Sequence, residues 1–253
     1  MPVVQEVSVP VQAGRVHALI GPNASGKTTL VKLMLGLLRP WRGRVRLGGR
    51  PARRVGGRAR ASTMSYVPQR SSVNFAFSVR QVVALGRFAL QPDDQAVESA
   101  LEDCDLADLG HRPYTELSVG QQQRVLLARA IAQSAGAGRV MLLDEPTSAM
   151  DPAHVHRLMA HVRRLAVGGL AVVMVMHDLN LAARYADEVW VMEGGRIVAG
   201  GSWDVVLTPE VLEPIYQVSI RAVMVEGDGD EAGTGASVRP VFDVRLPPAP
   251  DGA

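Results

Sequence analysis

The chain has 253 residues, of which 47% are hydrophobic and 21% charged, with a net charge of +2. That is an ordinary globular composition, large enough for one sizeable domain or two small ones. The longest apolar run, Leu170 to Met176, is far short of the roughly 20 residues that span a bilayer, the start from Met1 to Val11 with its Glu6 has no signal-peptide pattern, and the single Cys104 excludes an internal disulfide and fits a reducing compartment, which places the chain in the cytoplasm.

In chain order, Val3 to Val11 alternates weakly and predicts a strand. Val16 to Ile20 is an apolar strand running into a Gly-rich turn, and a helix is expected from about Lys27 to Leu38, stopped by Arg39-Pro40. Val45 to Leu47 and Ser65 to Val67 read as short strands around an Arg/Gly-rich loop. The stretch from Ser78 to Ala135 has helical periodicity, broken at Gln91-Pro92 and Arg112-Pro113, and is too long for a plain crossover. Val140 to Leu143 is a buried strand ending in Asp144-Glu145. A helix from Pro152 to about Val167 leads to a second buried strand, Leu170 to Met176. A helix from Leu179 to about Tyr185, a strand at Glu188 to Met192 and a Gly194-Gly195 turn into Arg196 to Ala199 follow. Buried strands alternating with helices predict a parallel sheet covered on both faces. The Gly/Asp/Glu-rich run Glu226 to Ser237 and the Pro-rich end Leu246 to Ala253 are expected to be flexible.

Chemistry concentrates at a few points. Gly21-Pro22-Asn23-Ala24-Ser25-Gly26-Lys27-Thr28 matches G-x-x-x-x-G-K-[ST] between a strand and a helix. Such a turn aims backbone N–H groups at a phosphate on a helix N-terminus. Lys27 then reaches the β- and γ-phosphates, and the Thr28 hydroxyl coordinates Mg²⁺. The motif alone establishes only a nucleotide phosphate site. Asp144 and Glu145 end a wholly apolar strand, where two carboxylates are costly unless a cation is near. Asp144 is read as the Mg²⁺ acid and Glu145 as the base that orients and deprotonates an attacking water. His177 ends the other buried strand on the same sheet edge and is read as a γ-phosphate contact. Gln69, after Tyr66-Val67-Pro68, is uninformative by itself. Leu117-Ser118-Val119-Gly120-Gln121 opens a helix and forms a second anion site of the same physical type. Two half-sites for one phosphate are reconciled if two chains meet head to tail.

Together these segments resemble the ATP-binding subunit of an ATP-binding-cassette (ABC) transporter over about Val4 to Val225. The motifs stand in the family's order: the P-loop, Gln69, the signature 117–121, the acidic strand 140–145, the D-loop Ser148-Ala149-Met150-Asp151, and His177. The resemblance implies an α/β P-loop NTPase with a RecA-like, mostly parallel sheet, a small antiparallel β-subdomain and an inserted helical subdomain at about 75–135, with residues 1–225 as the ATPase domain. The remainder, 226–253, is expected to be a flexible extension with a possible short strand.

The implied cofactors are ATP and Mg²⁺. Residues 21–28 with Thr29 would bind the nucleotide. Thr28, Asp144 and Gln69 would serve the metal, and Glu145, His177 and Gln69 the hydrolysis. Ser118, Gly120, Gln121 and Asp151 would complete the site of a second copy in an ATP-sandwich dimer. The helical subdomain would grip an integral membrane permease on the cytoplasmic face of the plasma membrane, served by an extracytoplasmic binding protein.

Phe77 to Arg87, His177 to Asp187 and Val206 to Leu212, with Tyr216 after it, are similar to importers of iron siderophores, haem and cobalamin, and zinc and manganese importers share parts of them. A non-transport ABC ATPase, a P-loop kinase and a regulatory cassette are the rival readings. The first would usually carry paired cassettes or coiled-coil insertions, and Ser118-x-Gly120 with His177 argues against the second.

Three departures from the family pattern carry expectations. Val119 replaces the first signature glycine, which predicts reduced activity. Ala24 replaces a common P-loop glycine, a mild change. No aromatic residue lies upstream of Val7 to Val9 to stack on adenine, so the chain is expected to be truncated or to hold adenine weakly. Two clusters are read as structural. His154, His156 and His161 on one helix are assigned to a solvated face rather than a metal site, since His154 and His156 point to different sides. The arginine cluster between Arg39 and Arg60 is likewise assigned to a solvated face rather than a nucleic-acid or phospholipid-headgroup patch, on the expectation that no aromatics interleave it to stack bases. No nucleic-acid partner is expected.

Overall fold

The computed structural model describes residues 3–69, 77–136, 139–226 and 238–245. Its centre is a six-stranded sheet in the order β4 (Met64–Val67), β5 (Val140–Asp144), β6 (Ala171–Val175), β1 (Val16–Ile20), β7 (Glu188–Glu193), β8 (Arg196–Ser202). The first five are parallel, and β8 runs antiparallel to β7 through the Gly194-Gly195 turn. Alternate residues of the inner strands bury on opposite faces. Ala18, Ile20, Met141, Leu143, Val172 and Met174 pack with one group of helices, and Leu19, Leu142, Val173 and Val175 pack under α1 (Lys27–Met34) through Leu30, Val31 and Met34. A strand buried on both faces must be apolar at every position, which is why these segments read as continuous runs.

Parallel pairing fixes the functional geometry. Val67 pairs with Leu143, Asp144 with Val175, and Leu19 with Val175. The C-terminal ends of β4, β5, β6 and β1 therefore share one edge, and the residues just beyond them are Gln69, Glu145, His177 and the Gly21 loop. Between β4 and β5 the chain inserts α3 (Val79–Ala84), α4 (Asp94–Asp103) and α5 (Val119–Ser134). They pack through Val82, Val83, Ala100, Leu101, Val125 and Leu126, with Tyr114 buried beneath. The same apolar cluster takes in α6 (Pro152–Val167), α7 (Leu179–Tyr185), α8 (Trp203–Val206) and α9 (Pro209–Tyr216).

Two hairpins complete the chain. β2 (Arg46–Leu47) pairs with β3 (Arg50–Pro51), followed by α2 (Gly57–Ala61). β9 (Ser219–Glu226) pairs antiparallel with β10 (Val238–Arg245) over their whole length. β10 is tied to the core by the Asn180 amide, which donates to Phe242 O (3.4 Å) and accepts from Phe242 N (2.7 Å), and by Arg239, whose guanidinium lies 4.2 Å over the Trp203 ring. The expected flexible stretches within 227–237 and 246–253 lie outside the described residues.

Two expectations fail. Val3 to Val11 forms no strand: Glu6 takes φ 53, which turns the backbone out of the extended region, and Pro10 has no N–H to give to a ladder. Helix α1 stops at Met34 rather than Leu38, because Gly36 adopts φ 70 and its N–H caps the helix on Leu33 O at 3.0 Å, with Leu37 N on Lys32 O at 2.9 Å.

Asp187 anchors the sheet at the opposite edge. Its Oδ2 accepts from Val16 N at 2.8 Å, at the start of β1, and from Arg163 Nη1 at 2.5 Å, on α6. Both side chains are largely buried, so removing one leaves the other's charge without compensation. Replacing Asp187 with alanine is expected to cost about 2–4 kcal/mol in urea unfolding, with Asp187→Asn, which keeps an acceptor for Val16, costing less.

Candidate functional site

The loop from Gly21 to Gly26 connects β1 to α1 and leaves the first turn of α1 facing the sheet edge. Within it Ala24 has φ 61. A left-handed alanine costs roughly 1–2 kcal/mol, so the substitution expected to be mild carries strain that glycine would not. Lys27 is buried, and its ammonium donates to the carbonyls of Gly21 and Pro22, both at 2.8 Å. Burial lowers its pKa, and Glu145 and Asp144 oppose that. Thr29 continues the same helix, and Ser25 is buried with its hydroxyl lacking a partner among the described residues.

Asp144 closes β5 at 0% exposure. One carboxylate oxygen accepts from the Thr28 hydroxyl at 3.3 Å, and the other has no hydrogen-bond partner among the described residues. Burial raises the Asp144 pKa, the Thr28 bond lowers it, Glu145 raises it, and Lys32 and Lys27 lower it. A buried carboxylate beside a hydroxyl, with an oxygen to spare, fits a hard divalent cation with oxygen ligands. The neighbouring Tyr66 hydroxyl is pushed up to about 12, by burial and then by Asp144, so it stays protonated.

Glu145 takes φ 52, a left-handed conformation that costs of order 1–3 kcal/mol in a non-glycine residue. The turn aims its carboxylate along the sheet edge, where Gln69 Nε2 donates to Oε2 at 2.7 Å and His177 Nε2 lies 2.7 Å from Oε1. Residues from the ends of β4, β5 and β6 thus converge on one carboxylate. Asp178 fixes the approach of His177: it caps α7, accepting from Asn180 N and Leu181 N. Behind Glu145 and His177 opens a cavity of 360 Å³ reaching Ser148, His156, Asp178 and Leu181.

The signature segment is placed elsewhere. Ser118 caps α5 with a reciprocal capping box: its hydroxyl accepts from Gln121 N at 3.3 Å, and Gln121 Oε1 accepts from Ser118 N at 2.9 Å. Val119 is 70% exposed. A Cβ on Gly120 would lie 2.7 Å from Ala149 O, so only glycine lets this helix end press on the D-loop. No hydrogen bond joins the signature to the P-loop among the described residues. Asp151 caps α6 and accepts from His154 N, and its other oxygen lies 2.5 Å from His154 Nδ1. The Asp151 carboxyl is held below the usual range, first by the His154 backbone bond.

The histidines assigned to a solvated face are engaged. His154 pairs with Asp151 and lies 3.7 Å from Asp105, His156 Nδ1 is 2.8 Å from the Tyr185 hydroxyl, and His161 is buried 3.3 Å from Asp103. The three-residue step from a capping aspartate could have signalled the first pair. Among the described residues no group of three His, Cys, Asp or Glu side chains is placed to hold a metal.

A P-loop beside a strand-end acid pair, on the carboxyl edge of a parallel sheet, defines a P-loop nucleoside-triphosphatase. Residues 4–148 match the family described as ABC transporter. The chain belongs to that family and is an ATP-hydrolysing subunit of it. It is 42% identical over 224 residues to the hemin import ATP-binding protein HmuV of Pseudomonas entomophila strain L48, covering 86% of this chain and 88% of that one. Among solved structures it is similar to a metal-chelate type ABC transporter in an inward-facing conformation (TM-score 0.73, 28% identity, 92% and 88% coverage). It is also similar to the ATP-binding cassette MJ1267 in its ADP conformation (TM-score 0.72, 26% identity, 85% and 92% coverage).

The buried charge on Asp144 gives a test. A raised folded pKa means that ionising Asp144 destabilises the fold, so its penalty is absent at low pH and appears as pH rises through the folded pKa, above the ordinary 3.8. Asp144→Asn is therefore expected to melt above the wild type at neutral pH without divalent cation, with the difference shrinking toward pH 4, in paired thermal melts.

Proposed function

We propose that two copies of this chain sandwich two ATP molecules and drive a membrane permease that imports haem. The observation that carries the dimer is the division of the phosphate site: Lys27, Asp144, Glu145 and His177 gather on one edge, while Ser118 and Gly120 sit against the D-loop with no bond to the P-loop. The haem assignment is supported by the 42% identical relative, a hemin import ATP-binding protein.

In this reading the backbone of residues 21–28 and Lys27 bind the β- and γ-phosphates, with Thr29 extending the contact. Thr28, Asp144 and Gln69 would hold Mg²⁺, which would supply neutralisation of the phosphate charge. Glu145 accepts a proton from the water as the water oxygen bonds to the γ-phosphorus and the bridging bond to ADP breaks. His177 holds Glu145 in line and contacts the γ-phosphate. Ser118, Gly120 and Gln121 of the second copy close over the γ-phosphate, and Asp151 crosses toward the partner's P-loop. Exposed Val119 would meet the partner and slow closure.

Among the described residues no helix is long and apolar enough to cross a membrane. Attachment through the permease would instead use the inserted helices, where Phe88 and Leu85 are 87% and 46% exposed.

Glu145→Gln is expected to lower ATP hydrolysis at least about 100-fold and to trap a dimer with MgATP in size-exclusion light scattering. Adding Ser118→Arg should return it to monomer. A double variant that still dimerises with ATP would overturn the shared-site reading.

A further inference from the structure

The near-neutral net charge hides a strong segregation. Residues 7–92 hold fifteen of the 27 lysines and arginines and none of the 25 aspartates and glutamates. Nine of those arginines fall between Arg39 and Arg60, on the exit turn of α1, the β2–β3 hairpin and α2. They surround a cavity of 640 Å³ rimmed by Arg39, Arg44, Arg53, Arg54 and Arg60. None of the nine is ion-paired among the described residues.

Trp41 stands on the rim between Arg39 and Arg42, 95% exposed, beside Leu37 and Leu38 at 62% and 42%. The expectation that no aromatic interleaves the arginines is therefore wrong. A surface that concentrates unpaired cations repels itself, and an indole left in water forgoes its burial energy. Both features are accounted for by a ligand that is anionic outside and apolar beneath.

We propose that this surface docks on the anionic phospholipid headgroups of the membrane, with the arginines on lipid phosphates and Trp41, Leu37 and Leu38 at the boundary with the acyl chains. The proposal rests on the membrane-bound reading above. The observations favour lipid over nucleic acid, because among the described residues Trp41 is the one aromatic lining the cavity, whereas tracking a strand needs successive stacking platforms. Exposed leucines beside it also find in a bilayer an apolar phase that a nucleic-acid backbone does not offer.

The test is flotation of the purified full chain with phosphatidylcholine vesicles, with and without phosphatidylglycerol, at low and high salt. Binding is expected only with phosphatidylglycerol and should be released by salt. Replacing the exposed Arg53 and Arg54 with glutamine should weaken it about 30-fold, while melting temperature and basal ATPase activity stay unchanged. Indole emission should shift to the blue on vesicles and lose the shift in Trp41→Phe, since Trp190 is already buried and Trp203 is half-buried beneath Arg239. Equal binding to neutral vesicles, an unaffected double variant, displacement by inorganic phosphate, or tighter binding to a DNA or RNA duplex would each overturn the proposal. ATP-driven dimerisation of Glu145→Gln needs no vesicle, so a dimer without flotation sinks the lipid surface alone, and flotation without a dimer sinks the shared-site reading alone.

Discussion

Asp144 is wholly buried at the end of an apolar strand, with one oxygen on the Thr28 hydroxyl and the other without a protein partner among the described residues. An ionised carboxylate in that position is expensive unless positive charge is brought to it. The sheet brings it from β1, which lies across β6 from Asp144: β1 delivers the P-loop, α1 carries Thr28, Lys27 and Lys32, and both lysines act on Asp144. The same burial that destabilises the protein without a cation would favour binding one there. Stability has been exchanged for a binding site, as is common where a fold carries function.

Glu145 depends on that arrangement. Its left-handed backbone holds the carboxylate out over the sheet edge, and Gln69 and His177 grip it from the two flanking strands. In the chain, Gln69 is the last described residue between β4 and the inserted helices. His154 makes a second link, reaching Asp151 on the D-loop and Asp105 beyond α4. The signature end of α5 rests on Ala149 through Gly120. The signature and the D-loop are thus joined to one another and to the region beyond α4 by short polar and steric links.

Much of the framework was legible in the sequence because it rests on local pattern. Leu170 to Met176 is wholly apolar and contains β6, and Asp151-Pro152 starts α6 where a capping acid and a first-turn proline should. The P-loop declares itself by spacing, and the strand-end position of Asp144, Glu145 and His177 follows from the parallel sheet. What was not legible depends on contacts distant in the chain or on backbone torsions. The alternation of Val3 to Val11 looked like a strand, yet Glu6 and Pro10 break it. His161 meets Asp103 of α4 and His154 lies near Asp105 just beyond it, and no local pattern reveals those two meetings. Trp41 was visible as a residue, but its exposure among unpaired arginines required the hairpin and α2 to be in place.

The division of one phosphate site between two chains is tested most directly by mixing two inactive variants. Lys27→Ala lacks the P-loop lysine, and Ser118→Arg blocks the signature. A mixed dimer would pair the intact P-loop of the second with the intact signature of the first, restoring one complete site. ATP hydrolysis that returns on mixing, while each variant alone stays inactive, is the predicted result. Activity that stays absent in mixtures shown to contain the mixed dimer would contradict the account.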